Sequence, residues 1–301
     1  MSNTKAWLQA ARLRTLPLSV SGILVGSFYA FSQGFSNWPI LAFALLTTLG
    51  LQVLSNFAND YGDGVKGTDN EHRIGPQRSI QSGAITVQAM KKGIIITAVL
   101  TLVAAVVLIY TSFGKENFGY SVFFFFLGLA SIAAAIKYTV GNSAYGYRGL
   151  GDVFVFIFFG LVSVLGCYFL FAKNIDGYIV LPAIAIGLLS VAVLNLNNMR
   201  DRVSDAMSGK NTLVVKMGAQ NAKLYHYFII GAAIVLTLVF AILSNFKPLQ
   251  YIFIIAYVPF VIHLKTVYKN TVPRDLDPEL KKVALGTFFL SVFLCIAMQL
   301  G

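Results

Sequence analysis

The sequence contains few charged residues and few of the residues that cross-link chains or ligate soft metals. Charged residues make up 12% of its 301 residues, hydrophobic residues make up 57%, and there are two cysteines and three histidines. Cys167 and Cys295 lie in apolar runs, which argues against a disulfide framework and a cysteine-ligated metal. His226 and His263 share no ligand spacing, and we expect them at the membrane interface. So little charge excludes an ordinary soluble domain.

Nine apolar segments are long enough to cross a membrane, since a spanning helix needs about 20 residues. The predicted spans are 16–34, 39–60, 93–113, 119–138, 151–172, 178–198, 224–244, 249–268 and 283–300. The polar, basic first 15 residues are followed by no small-residue cleavage site, so we interpret the first span as retained. Gly22 and Gly26 within it predict close helix packing. The predicted fold is an all-α, polytopic membrane bundle.

Basic residues are divided unequally between the two sets of loops. Of 23 lysines and arginines, 20 fall on the side of the N-terminus, and only Lys115, Lys173 and Lys247 fall opposite. Because cytoplasmic loops are rich in Lys and Arg, this predicts a cytoplasmic N-terminus and a C-terminus outside. Ten of the 12 acids also lie on the basic side. The net charge of +11 therefore reflects membrane orientation, not a nucleic-acid-binding face.

Two predicted spans run directly into clusters of amides and carboxylates. The second ends in NFANDYGDGVKGTDN and the sixth in NLNNMRDRVSDAMSGKNTL. Residues four apart share a helix face, so Asn59 and Asp63 project together, as do Asn197, Asp201 and Asp205. Each helix end is thus expected to present a row of oxygen ligands.

Oxygen ligands without His or Cys favour Mg²⁺, which shares its coordination sphere with water and phosphate oxygens. An ion at each helix end, with a diphosphate between them, would neutralise the leaving group. Asp69 lies off the helical stripe, and we expect the glycine-rich segment 62–67 to unwind and bring it back. Such clusters can also simply end helices in water. Their recurrence 138 residues apart instead suggests duplicated halves, roughly 16–140 and 151–268, within one domain spanning residues 1–301.

Basic and aromatic residues surround the two motifs. The phosphate-binding candidates are Lys66, Arg73, Arg78, Arg200 and Lys210, with arginine able to grip phosphate through two nitrogens. The loop KYTVGNSAYGYRGLGD supplies Lys137, Tyr138, Tyr145, Tyr147 and Arg148. Any one tyrosine there is equally typical of a membrane-interface belt. Together they would line a pocket for an aromatic acceptor, with a cation for an acceptor carboxylate.

The motifs NDYGD and DRVSD, which close the second and sixth of nine spans, resemble the UbiA superfamily of intramembrane prenyltransferases. The resemblance extends from RLRTLP to the last span, and NDYGDGVKGTD, YGYRGLGD and GKNTLVVKMG resemble the menaquinone-pathway branch. It implies a helical bundle around a central cavity, placed in the inner membrane with its active site on the cytoplasmic face. The metal ligands and catalytic carboxylates that it implies are Asn59, Asp63, Asn197, Asp201 and Asp205, with Asp60 and Asp69 in support.

The implied reaction begins when diphosphate leaves polyprenyl diphosphate, and a water-poor cavity protects the allylic cation. The ring of 1,4-dihydroxy-2-naphthoate attacks the cation, and loss of CO₂ restores aromaticity. Two alternatives stay open. One is a different acceptor, namely 4-hydroxybenzoate, homogentisate, a chlorophyllide or haem, and the other is a transporter with broken helices. A transporter should carry its acids near the midplane, whereas these acids lie at span ends.

Overall fold

The computed structural model describes residues 3–68 and 74–300, and within these residues all regular structure is helical. Ten helices follow one another along the chain, with short 3₁₀ turns at Leu13–Thr15 and Tyr145–Arg148. They are α1 (Asn3–Ala11), α2 (Leu16–Ser32), α3 (Trp38–Lys66), α4 (Val87–Phe113), α5 (Phe118–Lys137), α6 (Gly151–Ala172), α7 (Val180–Met207), α8 (Leu213–Leu243), α9 (Pro248–Lys269) and α10 (Pro273–Gln299).

Eight of the helices in the described residues, α3 to α10, are long and apolar enough to cross a membrane. α2 is shorter, and it meets α1 at a bend of 52°. The nine predicted spans all correspond to helices, and the all-helical prediction is confirmed. A ninth membrane span is obtained when α1 and α2 are counted together as one bent span.

The first residues of several helices are determined by side chains that accept hydrogen bonds from backbone N–H groups without a partner inside the helix. Asn37 Oδ1 accepts from Ile40 N at the start of α3, at 3.3 Å. In the same way, Thr86 Oγ1 accepts from Ala89 N at the start of α4, at 3.2 Å, and Thr212 Oγ1 accepts from Val215 N at the start of α8, at 3.3 Å. α3 and α7 extend several residues beyond their predicted spans, so both acidic motifs are helical.

Of the glycines predicted to unwind segment 62–67, only Gly67 ends the helix, and Gly62 and Gly64 stay helical. α3 continues through Lys66 and ends at Gly67, whose φ of 72° suits glycine. Gly62 instead permits close packing, because a Cβ there would lie 2.5 Å from Thr139 Oγ1. Thr139 donates to the carbonyl of Ala58 at 3.0 Å and so ties this end of α3 to the loop after α5. Asp69, which the unwinding was expected to bring back to the row of oxygen ligands, lies outside the described residues.

The helices pack into a ring. α3 packs against α2, α4 and α5, α6 packs against α2, α4 and α7, and α7 packs against α8. The last helix, α10, packs against α2, α7 and α9, which closes the ring. The outer surfaces of α4 and α5 expose large apolar side chains such as Leu100 and Phe123, as expected for helices that face lipid.

Small residues let α6 approach its neighbours. A Cβ on Gly26 would lie 2.5 Å from the carbonyl of Val164, which confirms the close packing predicted for the Gly22 and Gly26 pair. On the other side of α6, a Cβ on Gly160 would lie 2.6 Å from the Cα of Gly187 in α7. The middle of α6, Phe156–Gly166, is π-helical.

Gly160→Ala should therefore destabilise the protein by about 1–3 kcal/mol, because the added methyl group overpacks the α6–α7 contact. Thermal unfolding in detergent measures this as a lower midpoint. Gly231→Ala is the matched control, since its Cβ meets no atom within 4 Å and alanine favours a helix interior by about 0.5–1 kcal/mol. Equal midpoints for Gly160→Ala and the wild type would contradict the packing argument.

Candidate active site

The ring encloses a cavity of about 400 Å³. Both Ala44 and Asp63 of α3 line it, and at 1.5 Å per residue their separation corresponds to about 28 Å. The cavity therefore extends over nearly the ~30 Å hydrocarbon thickness of a bilayer. One end is polar, and the body is lined by side chains such as Leu51, Leu108, Phe124 and Phe158.

Asp63 of the first motif lies at the polar end and accepts a hydrogen bond from Tyr147. The distance from Tyr147 Oη to Asp63 Oδ1 is 2.7 Å, and Thr68 Oγ1 lies 2.6 Å from the same hydroxyl. Arg78 Nη2 lies 3.9 Å from Asp63 Oδ2, and Lys66 Nζ lies 3.9 Å from the centre of the Tyr147 ring. Burial and then the charge of Asp63 raise the pKa of Tyr147, so it remains a protonated donor.

Asp60 points away from the cavity. Its Oδ2 accepts from the backbone N–H of Ser79 at 3.1 Å, and the side chain is buried. Ser79 follows Arg78 directly, so Asp60 holds the segment that brings Arg78 to the cavity wall. The sequence predicted that Asp60 supports the metal ligands, whereas the observed contact of Asp60 is with the loop that carries Arg78.

Arg200 of the second motif is buried among protein groups, with only 1% of its side chain exposed. Nε and Nη2 donate to the two oxygens of Asp201 at 2.9 and 2.6 Å. Nη2 also donates to Asn197 Oδ1 at 2.8 Å, and Nη1 donates to Asp277 Oδ1 at 2.5 Å. The sequence predicted a phosphate contact for Arg200, but the structure commits its guanidinium to three protein side chains.

Lys210 brings the two motifs together. It lines the cavity, and its Nζ lies 3.6 Å from Asp205 Oδ1 and 5.6 Å from the centre of the Tyr147 ring. Burial disfavours its charged form, but the negative charges of Asp63 and Asp205 outweigh it and raise the pKa of Lys210. Lys210 is therefore a buried, charged group between the ends of α3 and α7.

Of the aromatic loop, Tyr138 and Tyr145 line the cavity, as predicted. The Tyr145 ring stacks on Phe154 with centroids 3.8 Å apart, and Tyr138 meets Tyr145 edge-on at 5.3 Å. Lys137 and Arg148 are exposed and do not line the cavity. The structure thus brings the rings to the cavity and leaves these two cations outside it.

Sequence reasoning missed three charged residues on the cavity wall: Arg12, Asp277 and Lys281. Arg12 has a left-handed backbone with φ of 51° and places Nη2 3.5 Å from the carbonyl of Asn56. Positions 277, 280, 281 and 284 all face the cavity, and this i, i+3, i+4, i+7 spacing was a readable signal. Arg73, another predicted site residue, lies outside the described residues.

No group of three His, Cys, Asp or Glu side chains in the described ranges could hold a metal by itself. Asn59 and Asn197 line the cavity, and Asn59 Oδ1 accepts from Thr139 at 3.3 Å. Asp205 Oδ2 and Asn198 Oδ1 are buried, and neither has a hydrogen-bond partner within residues 3–68 and 74–300. Buried orphan oxygens suit a cation that completes its coordination with phosphate and water, as Mg²⁺ does.

Comparison with known proteins agrees with this architecture. Residues 19–296 match the UbiA prenyltransferase family. A 1,4-dihydroxy-2-naphthoate octaprenyltransferase from Haemophilus influenzae is 42% identical, over 99% of this chain and 96% of that protein. The apo structure of a UbiA homologue from Aeropyrum pernix K1 superposes with a TM-score of 0.71 at 12% identity, over 96% of this chain and 98% of that one. The structure of a UbiA homologue from Archaeoglobus fulgidus bound to DMAPP and Mg²⁺ superposes with a TM-score of 0.63 at 15% identity. The match covers 96% of this chain and 99% of that one.

Tyr147→Phe removes the hydroxyl that donates to Asp63 and keeps the ring. We expect Mg²⁺-dependent binding of inorganic pyrophosphate to weaken about tenfold or more, because a group that hydrogen-bonds a ligating carboxylate commonly changes metal affinity by about 10- to 100-fold. Calorimetric titration measures the affinity. The matched control is Tyr145→Phe, whose hydroxyl donates only to the carbonyl of Ala134, at 2.9 Å. If Tyr147→Phe bound pyrophosphate as tightly as the control, the role assigned to this hydroxyl would be refuted.

Proposed function

The chain belongs to the UbiA prenyltransferase family, and we propose that it transfers a polyprenyl group from polyprenyl diphosphate to 1,4-dihydroxy-2-naphthoate. The transfer releases diphosphate and CO₂ and gives the reduced, quinol form of demethylmenaquinone, because the reaction uses no oxidant. One observation carries the proposal: a single cavity about 28 Å long joins a charged end to an apolar body. Such a cavity suits a ligand with a diphosphate head and a long hydrocarbon tail. The naphthoate acceptor is supported by the identity to the Haemophilus influenzae enzyme over nearly the whole chain.

We assign the diphosphate to the ends of α3 and α7. Arg78 and Lys210 are the cations next to Asp63 and Asp205 on the cavity wall, and Lys66 lies above Tyr147 beside them. A buried, charged Lys210 can hold a phosphate oxygen without competing water. The side-chain cations therefore fix the head group and leave the scissile C–O bond at the entrance to the apolar body.

The same end of the cavity is assigned to Mg²⁺, as two ions. The residues that would hold them are Asn59, Asp63, Asn197, Asp201 and Asp205, and Asp69 is a further candidate. Support comes from the orphan oxygens of Asp205 and Asn198 and from the DMAPP and Mg²⁺ bound by the Archaeoglobus fulgidus homologue. When bound, Mg²⁺ would neutralise the charge that develops on the departing diphosphate.

The aromatic part of the cavity is assigned to the acceptor and to the allylic cation. Tyr138, Tyr145 and Phe154 present ring faces and edges there. Ring faces attract cations, and they also offer stacking surface to a bicyclic acceptor. For the acceptor carboxylate we propose the wall cations Arg12 and Lys281, since the earlier candidate Arg148 is exposed outside the cavity.

Carboxyl-labelled 1,4-dihydroxy-2-naphthoate tests the reaction directly. Purified protein supplied with octaprenyl diphosphate and Mg²⁺ should release one CO₂ for each prenyl group transferred, because the carboxylated carbon is the one alkylated. Asp63→Asn should abolish both signals while the protein stays folded. Efficient prenylation of 4-hydroxybenzoate without turnover of the naphthoate would reject the acceptor, and absence of any prenyl transfer would reject the activity.

Competition with 1-hydroxy-2-naphthoate and 1-naphthol tests the carboxylate site, since the two differ only in that group. Lys281→Ala should reduce the preference for the carboxylated compound about tenfold, because a charge-assisted contact contributes about 1.5–3 kcal/mol. Arg148→Ala is the control and should keep the wild-type preference. A reduced preference in Arg148→Ala with a wild-type preference in Lys281→Ala would instead assign the acceptor carboxylate to Arg148.

The nine-span topology with a cytoplasmic N-terminus is also proposed, on the basis of the 20-to-3 division of basic residues. Single cysteines in a Cys167→Ala, Cys295→Ala background test it. Glu116→Cys and Lys247→Cys should react with an impermeant maleimide added to spheroplasts. Lys91→Cys and Arg274→Cys, which are equally exposed positions, should react only after lysis. Labelling of positions 91 and 274 from outside would invert the orientation.

A further inference from the structure

The second turn of α10 is connected by polar contacts to three other helices. Asp277 accepts from Arg200 Nη1 of α7 at 2.5 Å. Two residues later, Glu279 Oε2 lies 2.6 Å from His263 Nδ1 of α9, and His263 Nε2 lies 2.8 Å from His226 Nε2 of α8. Both histidines are fully buried, which corrects the interfacial position predicted from sequence. Asp277 is therefore held by its surroundings, and its position does not depend on a flexible loop.

Asp277 differs from the other two partners of Arg200 because it comes from a different helix. Asn197 lies three residues before Arg200 on α7, a spacing that places side chains on one helix face, and Asp201 is the next residue in the chain. Asp277 reaches the guanidinium from across the bundle and also lines the cavity. It thus fixes the direction in which Arg200 points, and Arg200 in turn fixes both oxygens of Asp201.

Charge gives the contact a second consequence. Arg200 and Asp201 alone form a neutral pair, and a neutral pair attracts a divalent cation weakly. With Asp277 the group of three carries a net charge of −1, beside Asn197 on the cavity wall. A group that binds a metal ligand commonly alters metal affinity by about 10- to 100-fold, and Asp277 holds such a group, Arg200, in place.

We propose that Asp277 is a positioning residue for the second acidic motif. Through Arg200 it orients Asp201 and Asn197, and its charge keeps the group net negative so that it attracts the Mg²⁺ that binds the diphosphate. The proposal rests on the function proposed above. The simpler alternative is a purely structural tie between α7 and α10, which would affect stability and leave the metal requirement unchanged.

Asp277→Asn distinguishes the positioning role from a purely structural tie, because the amide keeps an acceptor oxygen for Arg200 and removes the charge. The measurement is the Mg²⁺ concentration that half-saturates binding of an unreactive prenyl thiolodiphosphate, with the thermal midpoint of the metal-free protein measured alongside. We expect the Mg²⁺ requirement to rise about tenfold or more. Asp277→Glu, which restores the charge, should recover most of this loss. Asp275→Asn, an exposed acid in the same segment, should behave like the wild type.

An unchanged Mg²⁺ requirement in Asp277→Asn would overturn the proposal, whether or not the thermal midpoint falls. If Asp277→Asn fails to fold, Arg200→Lys decides the matter: it keeps the charge and loses the planar fork that holds both oxygens of Asp201. That variant should also need more Mg²⁺, and a wild-type requirement would refute the inference. Failure of the wild-type protein to bind the thiolodiphosphate with Mg²⁺ would instead reject the proposed function.

Discussion

The charged groups at the polar end of the cavity are tolerated inside an apolar bundle because neighbouring groups compensate them. An isolated charge at membrane depth is costly, and a buried ion pair is retained only when hydrogen bonds satisfy it. Asp63 is met by Tyr147 and Arg78, and Asp205 by Lys210. All of these contacts gather at one end of the ring of helices, so the requirement for compensation also determines where the polar site lies.

That end is assembled from segments far apart in the chain. The loop after α5 supplies Tyr147, whose backbone carbonyl accepts from Asn211 N at 3.0 Å, beside Lys210. The start of α10 supplies Asp277 to Arg200. Both motifs are therefore completed by groups outside them, whereas Asp205 Oδ2 and Asn198 Oδ1 have no hydrogen-bond partner among the described residues. The proposed metal-bound diphosphate fits that remaining demand.

Tight backbone packing complements the polar end. Gly26 and Gly160 allow α6 to contact α2 and α7 closely, and Gly62 lets α3 contact Thr139. Within the membrane, small residues are the usual means of bringing helices together, since lipid offers no hydrophobic gain for association. Close contact on these sides is compatible with an open interior, where larger side chains line the cavity.

The sequence by itself determined the helical class, the approximate spans and the two acidic helix ends, because hydropathy and four-residue spacing are local properties that a single helix carries. It also indicated that Tyr138 and Tyr145 belong to the site. Only the tertiary structure decided the partners: that Tyr147 donates to Asp63, that Arg200 is committed to Asp201 and Asp277, and that Arg148 is exposed whereas Arg12 and Lys281 line the cavity. A basic residue near a motif has the same local signature whether it faces ligand, carboxylate or solvent. Which of these it meets depends on how distant helices pack, and no local pattern encodes that.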